Sequence, residues 1–173
     1  MLKEMTGFGQ TKRIAQSLHA GLVERARARV FFCDLAVADT IDGRFDMIAV
    51  HAWLLLKRLN DLQMRDTAQS LVDALFISFD EGLRELGVGD IGVGHRMKKI
   101  GDAFYGRLQA YSAAQADGDL ATAILRNVYR GETTRVKEAG LLAAYLDSAQ
   151  TTLATQTFSS GSVDFGKTPS LAD

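Results

Sequence analysis

The sequence predicts an all-α fold, a single compact domain of about six or seven helices. Three observations predict it. The only proline among the 173 residues is Pro169, so nearly the whole backbone keeps its amide donors. Apolar residues recur at three- and four-residue spacing, and β-branched residues never cluster in an alternating run. The breaks between periodic segments carry glycine, as in Asp117-Gly118-Asp119 and Arg130-Gly131-Glu132. A chain of this length buries enough surface to fold without staples, and no internal repeat divides it. Residues 1–158 are expected to form the helical domain and residues 159–173 a polar C-terminal tail. That tail is either loosely ordered or laid across the domain through Phe158, Val163 and Phe165.

The first helix is expected from about Gln10 to Arg29, with Ile14, Leu18, Leu22 and Val23 as its apolar stripe. Its opposite face carries Lys12, Arg13, Glu24, Arg25, Arg27 and Arg29, the most basic local segment. Val30 to Val37 is an apolar connector or short helical turn. Asp39, Thr40 and Asp42 then stand before an apolar run, where their side chains can accept from first-turn amides. The helix they open, roughly Arg44 to Asn60, is apolar nearly all round and belongs in the middle of a bundle. Lys57 and Arg58 complement the dipole in its last turn. A further helix, about Met64 to Leu86, turns Leu71, Leu75, Ile77, Phe79, Leu83 and Leu86 to the core. Gly87, Gly89, Gly92 and Gly94 make the clearest break and are expected to form a structural loop. Helices follow from about His95 to Ala116, from Leu120 to Tyr129 with Asp119 as its cap, and from Thr134 to Thr155.

Composition excludes several classes. Twenty basic and 21 acidic residues leave a net charge of -1, so no broad basic field exists to grip DNA. The single cysteine, Cys33, forms no internal disulfide and fits a reducing compartment. Met1 to Gln10 lacks the apolar core of a secretory signal. The longest apolar run, Met47 to Leu56, is shorter than the ~20 residues that span a bilayer.

Each constellation with a chemical reading has a plainer one beside it. Gly87-Val88-Gly89-Asp90-Ile91-Gly92 matches the dinucleotide fingerprint, but a helix precedes it where the fingerprint needs a strand. The plainer reading is a helix connector; an intermediate one seats an anion or lipid headgroup near His95, Arg96, Lys98 and Lys99. His19, His51 and His95 lie on separate segments without metal-ligand spacing, and His51 reads as a hydrogen-bonded core residue. Asp39, Asp42 and Asp46 share a helical face if helical, but lack the ligand order of a calcium loop. Thr11 to Leu18 imitates a recognition helix without the preceding helix that such a motif requires. The basic first helix reads as a solvated face, a partner surface, or a contact with anionic lipid or ribosomal RNA.

Val37 to His51 (Val-Ala-Asp-Thr-Ile-Asp-Gly-Arg-Phe-Asp-Met-Ile-Ala-Val-His) resembles the signature of the ubiquinol–cytochrome c chaperone family. A second block, Leu86 to Gly94, is followed by Lys98-Lys99 and by Ala103-Phe104-Tyr105-Gly106-Arg107. A weaker third block is Leu125-Arg126-Asn127-Val128-Tyr129. The likeness spans roughly residues 10 to 150. It implies a non-enzymatic assembly factor for the cytochrome bc1 complex, with cytochrome b or another bc1 subunit as its membrane-protein client. For a bacterial member it implies a cytoplasmic protein near the inner membrane; separately, the basic first helix is expected to add peripheral attraction to anionic lipid at about 1 kcal/mol per cation near the surface. No cofactor is expected, and the oligomeric state is open. The candidate partner-binding residues are Asp39, Asp42, Arg44, His51, Asp90, Lys98, Lys99, Tyr105 and Arg107. The alternative is a helical lipid or small-molecule binder, or an enzyme, with a pocket near Asp39, Asp42, Arg44 and His51.

Overall fold

The computed structural model describes residues 2–87 and 89–169, with side chains at 9–87, 89 and 92–169. The described residues form seven α-helices, one 3-10 turn and no strand. In chain order these are α1 (Leu2–Ala26), α2 (Arg29–Cys33), α3 (Ile41–Asp61), α4 (Arg65–Glu85), α5 (Asp90–Ala116), α6 (Leu120–Asn127) and α7 (Val136–Ala154), with the 3-10 turn Thr133–Arg135 leading into α7.

The apolar run at the centre of the sequence dictates the centre of the fold. Every side chain from Asp46 to Leu56 is buried. A helix with no polar face needs neighbours on all sides, and α3 packs on α1, α4, α5 and α7. Its start is fixed by Thr40, whose Oγ1 accepts the Gly43 amide at 3.1 Å. A β-carbon on Gly43 would stand 1.9 Å from the Ala38 carbonyl oxygen, so the entering chain presses directly on the first turn.

α1 lies on α3 and α4 through Leu18 and Leu22, with Ala15 and Ala26 completing the buried stripe. The small alanines let the backbones approach, while Ile14 and Val23 sit at its edges. On α4, Leu71 and Leu75 are core residues, but Ile77 and Leu86 are 59% and 58% exposed rather than core-facing. Ile77 stands two residues beyond Leu75, about 200° round the helix, and Leu86 is already the C-cap. α5 begins at Asp90, so Gly92 and Gly94 are helical and the break shrinks to a few residues around Gly87 (φ 78°) and the N-cap Gly89. Asp119 stands at the N-cap of α6 but makes no side-chain cap bond. α6 packs on α5 and α7, closing the bundle.

The tail lies across the domain. Phe158 and Phe165 are buried in the core, and Val163 packs against it. Gly21 and Gly161 sit where a β-carbon would meet Val163 and Ser17 at 2.7 and 2.9 Å, so α1 and the strap touch backbone to side chain. The Gln156 side chain donates to the Asp164 carbonyl at 2.7 Å and accepts its amide at 2.9 Å. Arg58 holds the Gln156 carbonyl with two donors. Residues 170–173 lie outside the described residues.

These contacts predict opposite signs for two glycine substitutions. Gly43→Ala drives a methyl into a backbone carbonyl and should destabilise by about 1–3 kcal/mol or more. Gly94→Ala meets nothing within 4 Å inside a helix. It should stabilise by about 0.5–1 kcal/mol. Urea midpoints of the two variants check both signs.

Candidate functional site

Two polar side chains interrupt the buried stretch of α3, and each is served by a different set of neighbours. Asp46 is fully buried. Arg107 on α5 donates from Nε to Asp46 Oδ1 at 2.7 Å and from Nη1 to the Ala103 carbonyl at 3.2 Å. Arg130, in the turn after α6, brings Nη2 to 2.8 Å from Oδ2. That second approach is an ion pair off the hydrogen-bonding line, because Oδ2 has no aligned donor. Burial pushes the Asp46 carboxyl above the usual carboxylate range, and the two guanidiniums oppose the shift. The desolvation of the charge is therefore only partly offset by its pairs, the common situation of a buried ion pair. Beside it Tyr111 is buried with its hydroxyl unpartnered, and burial reinforced by the Asp46 charge raises its pKa.

The same arginine joins this ion cluster to an aromatic face. The Arg107 guanidinium lies 5.0 Å over the Phe45 ring. Phe45 meets Phe79 edge-on at 5.5 Å, and Phe76 meets Phe104 edge-on at 5.6 Å. Tyr105 stacks on Phe76 at 6.1 Å and is itself 54% exposed. Ile41, one turn ahead of Phe45, is 65% exposed. Aromatic and aliphatic surface thus runs from solvent into the core, with a cation at its inner edge.

His51 occupies the second polar position. Its Nδ1 lies 2.7 Å from the Met47 carbonyl, which can only accept, so Nδ1 carries the proton. Nε2 is then the acceptor for the Tyr145 hydroxyl at 2.9 Å. Phe31 and Phe165 meet the imidazole edge-on at 5.3 and 5.2 Å. Burial pushes its pKa down to about 4; the Met47 carbonyl opposes this and the Arg25 charge adds to it. Arg25 belongs to this cluster and not to a solvated face. Its side chain is 20% exposed, its charge acts on His51 and on the Tyr145 hydroxyl, and Nη2 comes within 4.0 Å of Asp164.

The structure separates the sequence-derived candidates into groups. Tyr105 and Arg107 come together on the aromatic face. Asp39 and Arg44 form an exposed pair at 2.7 Å, and the guanidinium holds the Asp39 carboxyl below its ordinary range. Asp42 is exposed in the first turn of α3, one turn before Asp46. Lys98 and Lys99 are exposed on α5, while the Asp90 side chain lies outside the described residues. His51 presents nothing to a partner, because both ring nitrogens are bonded inside the core. Asp39, Asp42, Arg44 and His51 therefore do not line one pocket. A hollow of about 350 Å³ is bounded instead by Thr11 and Gln63 to Thr67, and a smaller one of about 50 Å³ by Leu54, Lys57, Arg58, Asp61 and Gln150 to Ala154. Among the described residues no three His, Cys, Asp or Glu side chains gather to hold a metal, and no helix is long and apolar enough to cross a membrane. The candidates omitted Asp46 and Arg130. The available signal was a carboxylate embedded between Phe45 and Met47 on the most apolar helix.

Both polar positions generate predictions. Unfolded His51 takes up a proton near pH 6.5, whereas the folded protein takes it up only near pH 4. Its contribution is complete above pH 6.5 and lost as pH falls to about 4, amounting to about 3 kcal/mol. The difference in urea midpoint between the wild type and His51→Gln should shrink over that window. At the other position, Arg107→Ala leaves a buried carboxylate with one misaligned partner and should cost about 3 kcal/mol. Adding Asp46→Asn should recover much of that loss, and a double-mutant cycle measures the recovery.

The family model described as Ubiquinol-cytochrome C chaperone matches residues 33–160, from the end of α2 into the strap and including α3, Arg107 and Arg130. A comparison with curated proteins finds no match. Among solved structures, the crystal structure of the Cbp3 homolog from Brucella abortus is similar at a TM-score of 0.82 and 30% sequence identity. The alignment covers 96% of this chain and 97% of that one, so the likeness extends over the whole fold. By the family match and this full-length likeness, the chain belongs to the ubiquinol–cytochrome C chaperone family.

Proposed function

We propose that the protein is a non-enzymatic assembly chaperone for the ubiquinol–cytochrome c reductase (bc1) complex, and that it binds newly made cytochrome b or another membrane subunit of that complex. Family membership is the observation that carries the assembly role. The aromatic face supports the mode of action. A membrane subunit with several apolar spans must be shielded until its partners arrive, and shielding requires apolar surface rimmed by polar groups. Tyr105 and Ile41 offer such surface, with Arg107 at its inner edge and Arg44 and Asp39 at the head of α3. In this reading Tyr105 is a client anchor, Arg107 positions the face, and Asp39, Asp42 and Arg44 form its rim.

The protein works beside the inner membrane on the cytoplasmic side. Exposed Arg96, Lys98 and Lys99 on α5 add peripheral attraction to anionic lipid at about 1 kcal/mol per cation near the surface.

Deleting the gene in its native host should lower the amount of assembled bc1 complex several-fold, and expression of the chain should restore it. Native gel electrophoresis with haem staining reads the result. Normal assembled complex in the deletion strain would end this reading.

A further inference from the structure

We propose that Arg130 is a docking cation, which takes a carboxylate carried by the apolar partner segment that settles on the aromatic face. The inference rests on the chaperone reading and deepens it by naming the chemistry of the partner.

Charge is the first argument. Arg107 already gives Asp46 a short, aligned partner at 2.7 Å. Arg130 adds a second positive charge to the same carboxylate through a misaligned contact, so the cluster of Asp46, Arg107 and Arg130 carries a net charge of +1. The surplus faces outward, because the Arg130 side chain is 48% exposed while Asp46 is fully buried. The exposed Asp42 carboxylate, one turn away on α3, forms no ion pair with it. The half-exposed guanidinium also donates from Nη1 to the Asn127 carbonyl, and its remaining N–H donors are suited to take a carboxylate.

Backbone conformation is the second argument. The turn after α6 places Arg130 and Gly131 at φ 55° and 79°, and the Gly131 amide returns to the Leu125 carbonyl at 2.9 Å. Glycine adopts this left-handed conformation freely, and a branched or long side chain is strained there. Glycine would relieve the turn at 130, and what the position gains from arginine is a side chain that holds the Asn127 carbonyl and approaches Asp46 while staying half-exposed.

Continuity is the third. Arg107 touches both Asp46 and the Phe45 ring, so Arg130 stands one ion pair away from the apolar face. The fitting partner is an apolar helix with an Asp or Glu near one end.

Arg130→Gly, Arg130→Lys and Arg130→Glu in the full chain test this, together with a photo-crosslinking residue at Ile41 or Tyr105 in native cells. Arg130→Gly relieves the left-handed backbone but removes one counter-ion of a buried carboxylate, so it should stay folded with a lowered urea midpoint that Arg130→Lys largely restores. Arg130→Gly and Arg130→Glu should lose roughly tenfold in crosslink yield, and Arg130→Lys should retain most of it. The captured segment, read by mass spectrometry, should be apolar with an acidic residue within about one helical turn. Unchanged crosslinking in Arg130→Gly overturns the proposal. So does an unfolded Arg130→Gly protein, which would make the arginine a structural counter-ion, or capture of lipid or of a segment without a carboxylate. Normal bc1 assembly on deletion, with an Arg130-dependent acidic crosslink intact, would remove the assembly role and leave this docking site standing.

Discussion

The structure depends on one constraint: an almost wholly apolar helix must be enclosed, yet it carries an aspartate and a histidine inside the enclosed stretch. A buried polar group without partners costs more than most single contacts return. The helices around α3 are therefore bound to particular side chains as well as to apolar surface. α5 and the turn after α6 must bring Arg107 and Arg130 to Asp46, and α7 must bring Tyr145 to His51. Hydrophobic packing alone would tolerate small rotations of these helices. The polar contacts select one arrangement.

The two solutions differ in kind. At His51 every ring nitrogen is bonded, aromatic edges close the surroundings, and the C-terminal strap seals the site with Phe165. The result is a neutral, inert core residue. At Asp46 the satisfaction is incomplete and reaches solvent. One oxygen is well bonded, the other is approached off line by a half-exposed arginine, and a buried phenol beside it is unpaired. Only this second type of surroundings leaves a charged group at the surface, where contacts can be exchanged without opening the core.

The aromatic face draws its position from the same constraint. Arg107 is held by Asp46 and in turn covers Phe45, so the ion pair fixes one wall of the surface on which Tyr105 and Phe76 stack. Large, rigid side chains supported from behind lose little entropy on binding. The exposed Asp39–Arg44 pair has no such backing and contributes a solvated rim.

What the sequence alone determined was local in origin. Proline placement, helical periodicity and glycine breaks establish an all-α domain, and an apolar stretch with no polar face can only be central. Thr40, one of the three cap candidates before the apolar run, marks the start of α3 because capping is short-range chemistry. The tertiary structure decided everything that joins distant residues. Gly92 and Gly94 joined α5 because its packing, with Val93 buried, outweighed their weak helix propensity. Ile77 faced solvent because rotation about the helix axis, not hydrophobicity, assigns a face. Arg25 left the basic face of α1 for Tyr145 and Asp164. Asp46 drew its partners from 61 and 84 positions away. No pattern within a window of a few turns encodes such pairings, and they turned an isolated carboxylate into the anchor of the arginine that covers Phe45.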